Sequence, residues 1–110
     1  IVFFLFESVL FSRRDIQKRF QVASPDAAEA IRPWALNQGF YNLFLAVGLI
    51  HGIIVTALGY PATGRPIMLV ICAVMVGAAV VLGISDARMR RAALLQGVPP
   101  LAAVVLLSIA

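Results

Sequence analysis

Charge is what this chain has least of. Charged residues make up 13% of it, against roughly 25% in an average soluble domain. That shortfall excludes a soluble globular domain, and the 62% hydrophobic content excludes disorder. Acid is scarcer than base, with five Asp and Glu against nine Lys and Arg. The single cysteine, Cys72, lies inside an apolar run, so no internal disulfide forms and no thiolate zinc site assembles. The single histidine, His51, has no second ligand near it in sequence and makes a poor metal centre. No aromatics interleave a basic stripe, so the net charge of +4 does not point to nucleic acid. No metal or other cofactor is called for, and no small-residue cleavage site follows the first apolar run to mark a signal peptide.

Long apolar runs are what the chain has instead. Residues 34–58, 66–85 and 92–110 are each long enough to cross a bilayer, which takes about 20 apolar residues. A fourth run, Ile1 to Phe11, ends at Ser12-Arg13-Arg14. A helix over residues 1–12 covers only about 18 Å of a hydrocarbon core roughly 30 Å thick. The run starts without Met and reads as the inner end of a helix whose outer end lies upstream. The expectation is an all-α fold, a four-helix transmembrane bundle over 1–110 with a short interfacial helix in the first loop.

The loops carry the orientation signal. Residues 13–33 hold Arg13, Arg14, Lys18, Arg19 and Arg32; residues 86–91 hold Arg88, Arg90 and Arg91; the middle loop holds only Arg65. The first and third loops lie on one side of a four-span chain. The positive-inside rule therefore predicts both to be cytoplasmic, in a multi-pass membrane protein. In the first loop, Arg13 to Phe20 suits a helix end at the headgroups, its basic stems snorkelling while Ile16 and Phe20 face inward. Ser24-Pro25-Asp26 is a helix start, with Ser24 as cap and Pro25 in the first turn. The spacing predicts a short helix to about Arg32, broken or kinked at Pro33 before Trp34 anchors the next span. The Gly- and Pro-rich segment 59–66 predicts a tight turn, with Tyr60 at the opposite membrane face.

Polar side chains inside the runs fall in one layer. Glu7 is the only acid in an apolar run and lies about 9 Å inside Arg13. Asn37, Gln38 and Asn42 lie about 4–12 Å below Trp34, and Gln96 follows Arg91 by five residues. A polar group in hydrocarbon needs a partner. One network through Glu7, Asn37 or Gln38, Asn42 and Gln96 satisfies that need. It serves either as interhelical glue or as a small site with Glu7 as a proton carrier. Small residues at four-residue spacing, Gly48/Gly52, Ala73/Gly77 and Ala79/Gly83, let helices approach closely. Pro99-Pro100 should bend the last span.

The run Ala35-Leu36-Asn37-Gln38-Gly39-Phe40-Tyr41-Asn42-Leu43-Phe44-Leu45-Ala46-Val47-Gly48-Leu49-Ile50 resembles the signature of the domain-of-unknown-function family 1304, small four-span bacterial membrane proteins. The resemblance extends to Glu7, Phe20, Ser24-Pro25 and Gln96-Gly97-x-Pro99. It implies a four-helix bundle and brings no activity. Three functions compete. The first is a non-catalytic accessory subunit of a larger membrane complex in contact with membrane lipids. A likeness to accessory chains of actinobacterial lipid-import complexes makes a lipid transporter the candidate host. The second is a proton-coupled carrier using Glu7, similar in outline to the small multidrug exporters but with an amide-rich second span that they lack. The third is an enzyme acting on a lipid-like substrate. It ranks last and the chain is read as no enzyme, because no nucleophile–base pair is visible.

Overall fold

The computed structural model describes residues 1–20 and 22–110 and forms two compact units, Ile1–Val47 and Gly48–Ala110. Described residues are helical almost throughout, with no strand among them. Three helices are long and apolar enough to cross a membrane: α3 (Pro25–Ala57), α4 (Pro61–Ser85) and the stretch Ala87–Ile109, which contains α5 (Arg90–Ile109). The first apolar run is shorter. Its helix comprises α1 (Val2–Phe4) and a wider π-helical stretch, Leu5–Val9. It ends where the Leu10 N–H bonds the Leu5 carbonyl at 2.8 Å, five residues back.

In the first unit the chain turns at Leu10–Arg13 and enters α2 (Arg14–Arg19). Asp15 lies in the first turn of α2 and Lys18 and Arg19 in the last, each matching the sign of the helix dipole at its end. The turn is held from inside by Gln17, which is buried. Its amide Nε2 donates to the Phe11 carbonyl at 3.0 Å, and its Oε1 accepts from Arg14 at 2.8 Å. Phe11, Val22, Ala28 and Ala35 form a small core, with Phe20 and Ala27 packed against it. Ile16 is buried as the amphipathic reading requires.

The helix start at Ser24 is as expected: the Ser24 hydroxyl accepts from the Ala27 N–H at 3.1 Å. The expected break at Pro33 is absent. Helix α3 runs through it without interruption to Ala57. Pro33 withholds only the one bond that its own nitrogen would have made to Glu29. Good helix formers on both sides, and an apolar span in which every backbone group must be satisfied internally, keep the helix whole.

In the second unit, α3 ends in a Schellman turn. Gly59 has φ +93°, the Tyr60 N–H bonds the Val55 carbonyl at 3.1 Å, and the Gly59 N–H bonds the Thr56 carbonyl at 3.1 Å. Pro61 then opens α4, so the turn is shorter than 59–66 and α4 begins before residue 66, with Pro66 inside it. Gly52 and Gly64 let the end of α3 and the start of α4 touch backbone to backbone: a Cβ on Gly64 would lie 2.5 Å from the Gly52 carbonyl oxygen. Met68 and Cys72 are buried near this crossing. Asp86 caps the link to α5, accepting from the Arg88 N–H at 2.9 Å. Pro99 and Pro100 both lie inside α5.

Candidate functional site

The polar site forms in the first unit, where the first helix packs on the N-terminal half of α3. Glycine makes the approach possible. A Cβ on Gly39 would collide with the Ser8 hydroxyl and lie 3.2 Å from Glu7 Cβ and 3.3 Å from the Phe4 carbonyl oxygen. Phe4 and Phe40 close one side edge to face, with ring centroids 5.4 Å apart. Across this contact Asn42 Nδ2 donates to Glu7 Oε2 at 2.8 Å. The Ser8 hydroxyl donates to the Leu36 carbonyl at 3.4 Å.

Of the five residues expected in one layer, this places Glu7 and Asn42 together, both half-buried. Gln38 is half-buried and Asn37 exposed, and among the described residues neither side chain makes a hydrogen bond. Helix geometry explains the selection. Gln38 lies about 6 Å along the axis from Asn42, and Asn37 is turned roughly 140° away from it. Gln96 lies half-buried on α5 in the second unit. His51 is exposed on α3, and no group of three potential metal ligands gathers among the described residues.

The packing glycines separate into two kinds. A Cβ on Gly48 would lie 2.8 Å from Ile71 Cδ1, and one on Gly52 2.7 Å from Met68 Cγ. On Gly83 it would make ordinary contact with Ala93 at 3.4 Å. On Gly77 it would meet nothing within 4 Å. Ala73, one turn earlier on the same face, is exposed as well.

Ser8 and Gly39 were not read from sequence as site residues, nor was Gln17 read as the buried hold on the turn before α2. Ser8 follows Glu7 directly, and a hydroxyl next to the only acid in an apolar run was an available signal. Gly39 sits inside the Asn37–Asn42 run, where a glycine among amides marks a close approach. Gln17 had no signal, since an amide among basic residues ordinarily faces water.

Chemically, the site is one carboxyl oriented by one amide. It can hold or release a proton, and the Asn42 amide fixes which oxygen is engaged. The one hydroxyl beside it, that of Ser8, is engaged by the Leu36 carbonyl, and no second acid contacts Glu7 among the described residues. The family described as "Protein of unknown function (DUF1304)" matches residues 1–108, and the chain belongs to it. No curated protein and no solved structure matches the chain.

Proposed function

We propose that this protein is a non-catalytic subunit that docks on a larger membrane complex, with a lipid transporter as its host. The reading places it in a bacterial inner membrane with residues 13–33 and 86–91 cytoplasmic. It takes the Ile1–Phe11 run as belonging to a fourth span. The observation that carries the reading is the Ala73/Gly77 face of α4. Small residues at four-residue spacing allow close helix approach, and in lipid that packing, rather than hydrophobic burial, drives association. Gly52, Gly64 and Gly97 are occupied within their own unit, whereas Gly77 faces open space. A second reading rests on Glu7. A half-buried carboxyl on an apolar run, held by Asn42, is also what a proton-coupled carrier requires.

The test is Gly77→Leu in the native chromosomal copy. Docking predicts that the variant folds, because a Cβ at Gly77 meets no described atom within 4 Å, and that it no longer copurifies with a larger assembly. A variant that stays in a large assembly removes the Gly77 face from the reading. Glu7→Gln addresses the second reading, since it abolishes proton-coupled transport but leaves a docked subunit in place.

A further inference from the structure

The hairpin of α4 and α5 carries a groove of about 400 Å³, lined by apolar side chains except at one end. Its floor is made by residues with one carbon or none: Ala79 and Gly83 on α4, Ala93 and Gly97 on α5. The helices meet along that floor, where a Cβ on Gly97 would lie 2.7 Å from Ala79 Cβ. Larger side chains, Val80 and Val98 among them, stand as walls and are more than half exposed. Arg90 stands at the loop end. The groove continues along α5 to Leu101, which is about 16 Å at the helical rise.

That length matches one leaflet of hydrocarbon, roughly 15 Å. The groove is open along one side, so one extended acyl chain can lie in it against the small-residue floor. The charge at the mouth selects the headgroup. Asp86 is engaged by Arg88 at 2.9 Å, while Arg90 has no carboxylate partner among the described residues and reaches only the Gly83 carbonyl, at 3.4 Å. Arg91 beside it is likewise without a carboxylate partner among the described residues.

We propose that this hairpin binds one anionic phospholipid, with an acyl chain along the Ala79–Gly83/Ala93–Gly97 floor and its phosphate at Arg90. A basic group at the mouth of an apolar cleft between membrane helices recognises such a headgroup. Arginine suits a phosphate because its planar fork donates in pairs. The site is independent of the docking reading, since it requires no protein partner.

The experiment uses the purified full chain in mild detergent, titrated separately with palmitoyl-oleoyl phosphatidylglycerol and phosphatidylcholine and read by native mass spectrometry. The first phosphatidylglycerol binds about fivefold or more tighter than phosphatidylcholine, the worth of one basic residue at a membrane surface. Arg90→Gln removes that preference. Val98→Trp fills the groove and loses both lipids. A phosphatidylglycerol with a photoreactive acyl chain labels Val80, Val98 or Leu101 in the unaltered protein, which keeps the proposal testable if Val98→Trp does not fold. Equal affinity for the two lipids, an unchanged preference in Arg90→Gln, lipid retained by a folded Val98→Trp, or labelling confined to other faces each overturns it. So does a Val98→Trp that keeps its lipid and loses a protein partner, which assigns the groove to a protein instead.

Discussion

Gly39→Ala is the smallest change that tests how the first unit is assembled. The added carbon enters space held by the Ser8 hydroxyl and comes within 3.2 Å of Glu7 Cβ and 3.3 Å of the Phe4 carbonyl oxygen. Ser8 can turn away, but the other two contacts belong to the body of the helix and must retreat together. Overpacking of this kind costs about 1–3 kcal/mol. Retreat also stretches the Glu7–Asn42 bond, and interhelical polar bonds in membranes contribute about 0.6 kcal/mol on average. Against this, alanine is favoured over glycine in a helix by about 1 kcal/mol. The balance is a loss of about 1–2 kcal/mol. The same substitution at Gly77 meets nothing, so only the helix gain remains and stability rises by up to about 1 kcal/mol. Reversible unfolding in mixed micelles of mild detergent and sodium dodecyl sulfate measures both. A double-mutant cycle with Ser8→Ala should recover part of the Gly39→Ala loss, because it removes the first atom in the way. Equal stabilisation at Gly39 and Gly77 would refute the close crossing.

Three further outcomes follow from particular contacts. Glu7→Gln should keep the fold, because an amide still accepts from Asn42, whereas Asn42→Leu leaves the carboxyl without its donor and should destabilise by about 1–3 kcal/mol in the same assay. Cysteines placed at Gly59 or Tyr60 in a Cys72-free background should react with an impermeant thiol reagent in intact cells, and those at Lys18 or Arg19 should not; the reverse pattern inverts the orientation. Asp86 lies outside the spans, and the side-chain bond from Arg88, with the Arg88 backbone N–H, holds its carboxyl below the usual range. A folded-state value below the unfolded one means that its capping is fully present above the unfolded pKa, about 3.9, and is lost as pH falls through the lowered value. Hydrogen exchange at the Arg88 amide should stay protected from neutral pH to about 4 and then open, and Asp86→Asn should remove the pH dependence.

Much of the architecture was legible because membrane spans are written in composition. The apolar runs gave three long helices, and Ser24, Gly59 and Pro61 marked their ends through capping and turn chemistry. The helix starts were misplaced where proline was read as a breaker. Pro33 and Pro66 both lie inside helices, since in an apolar setting the loss of one backbone bond does not outweigh the satisfaction of all the others. Glu7 and Asn42 stood out because a polar group in an apolar run must find a partner. Which amide Glu7 would choose was not legible, because it depends on the azimuth and depth at which two helices meet, and Gly39 sets both. The groove on α4 and α5 was hidden for a related reason. Small residues at four-residue spacing signal close packing, but spacing does not say which pairs are filled by a neighbour and which border a cleft.

The central claim is that this chain works as a docked subunit. The most direct measurement is the mass of the assembly that holds it, from a small affinity tag on the chromosomal copy, extraction in mild detergent and native mass spectrometry of everything retained. Docking predicts a defined complex with at least one larger membrane protein in fixed ratio to this chain, lost in Gly77→Leu. Recovery of this chain alone, as a monomer or homodimer with lipid, at native abundance and in detergents that preserve other complexes, would contradict it.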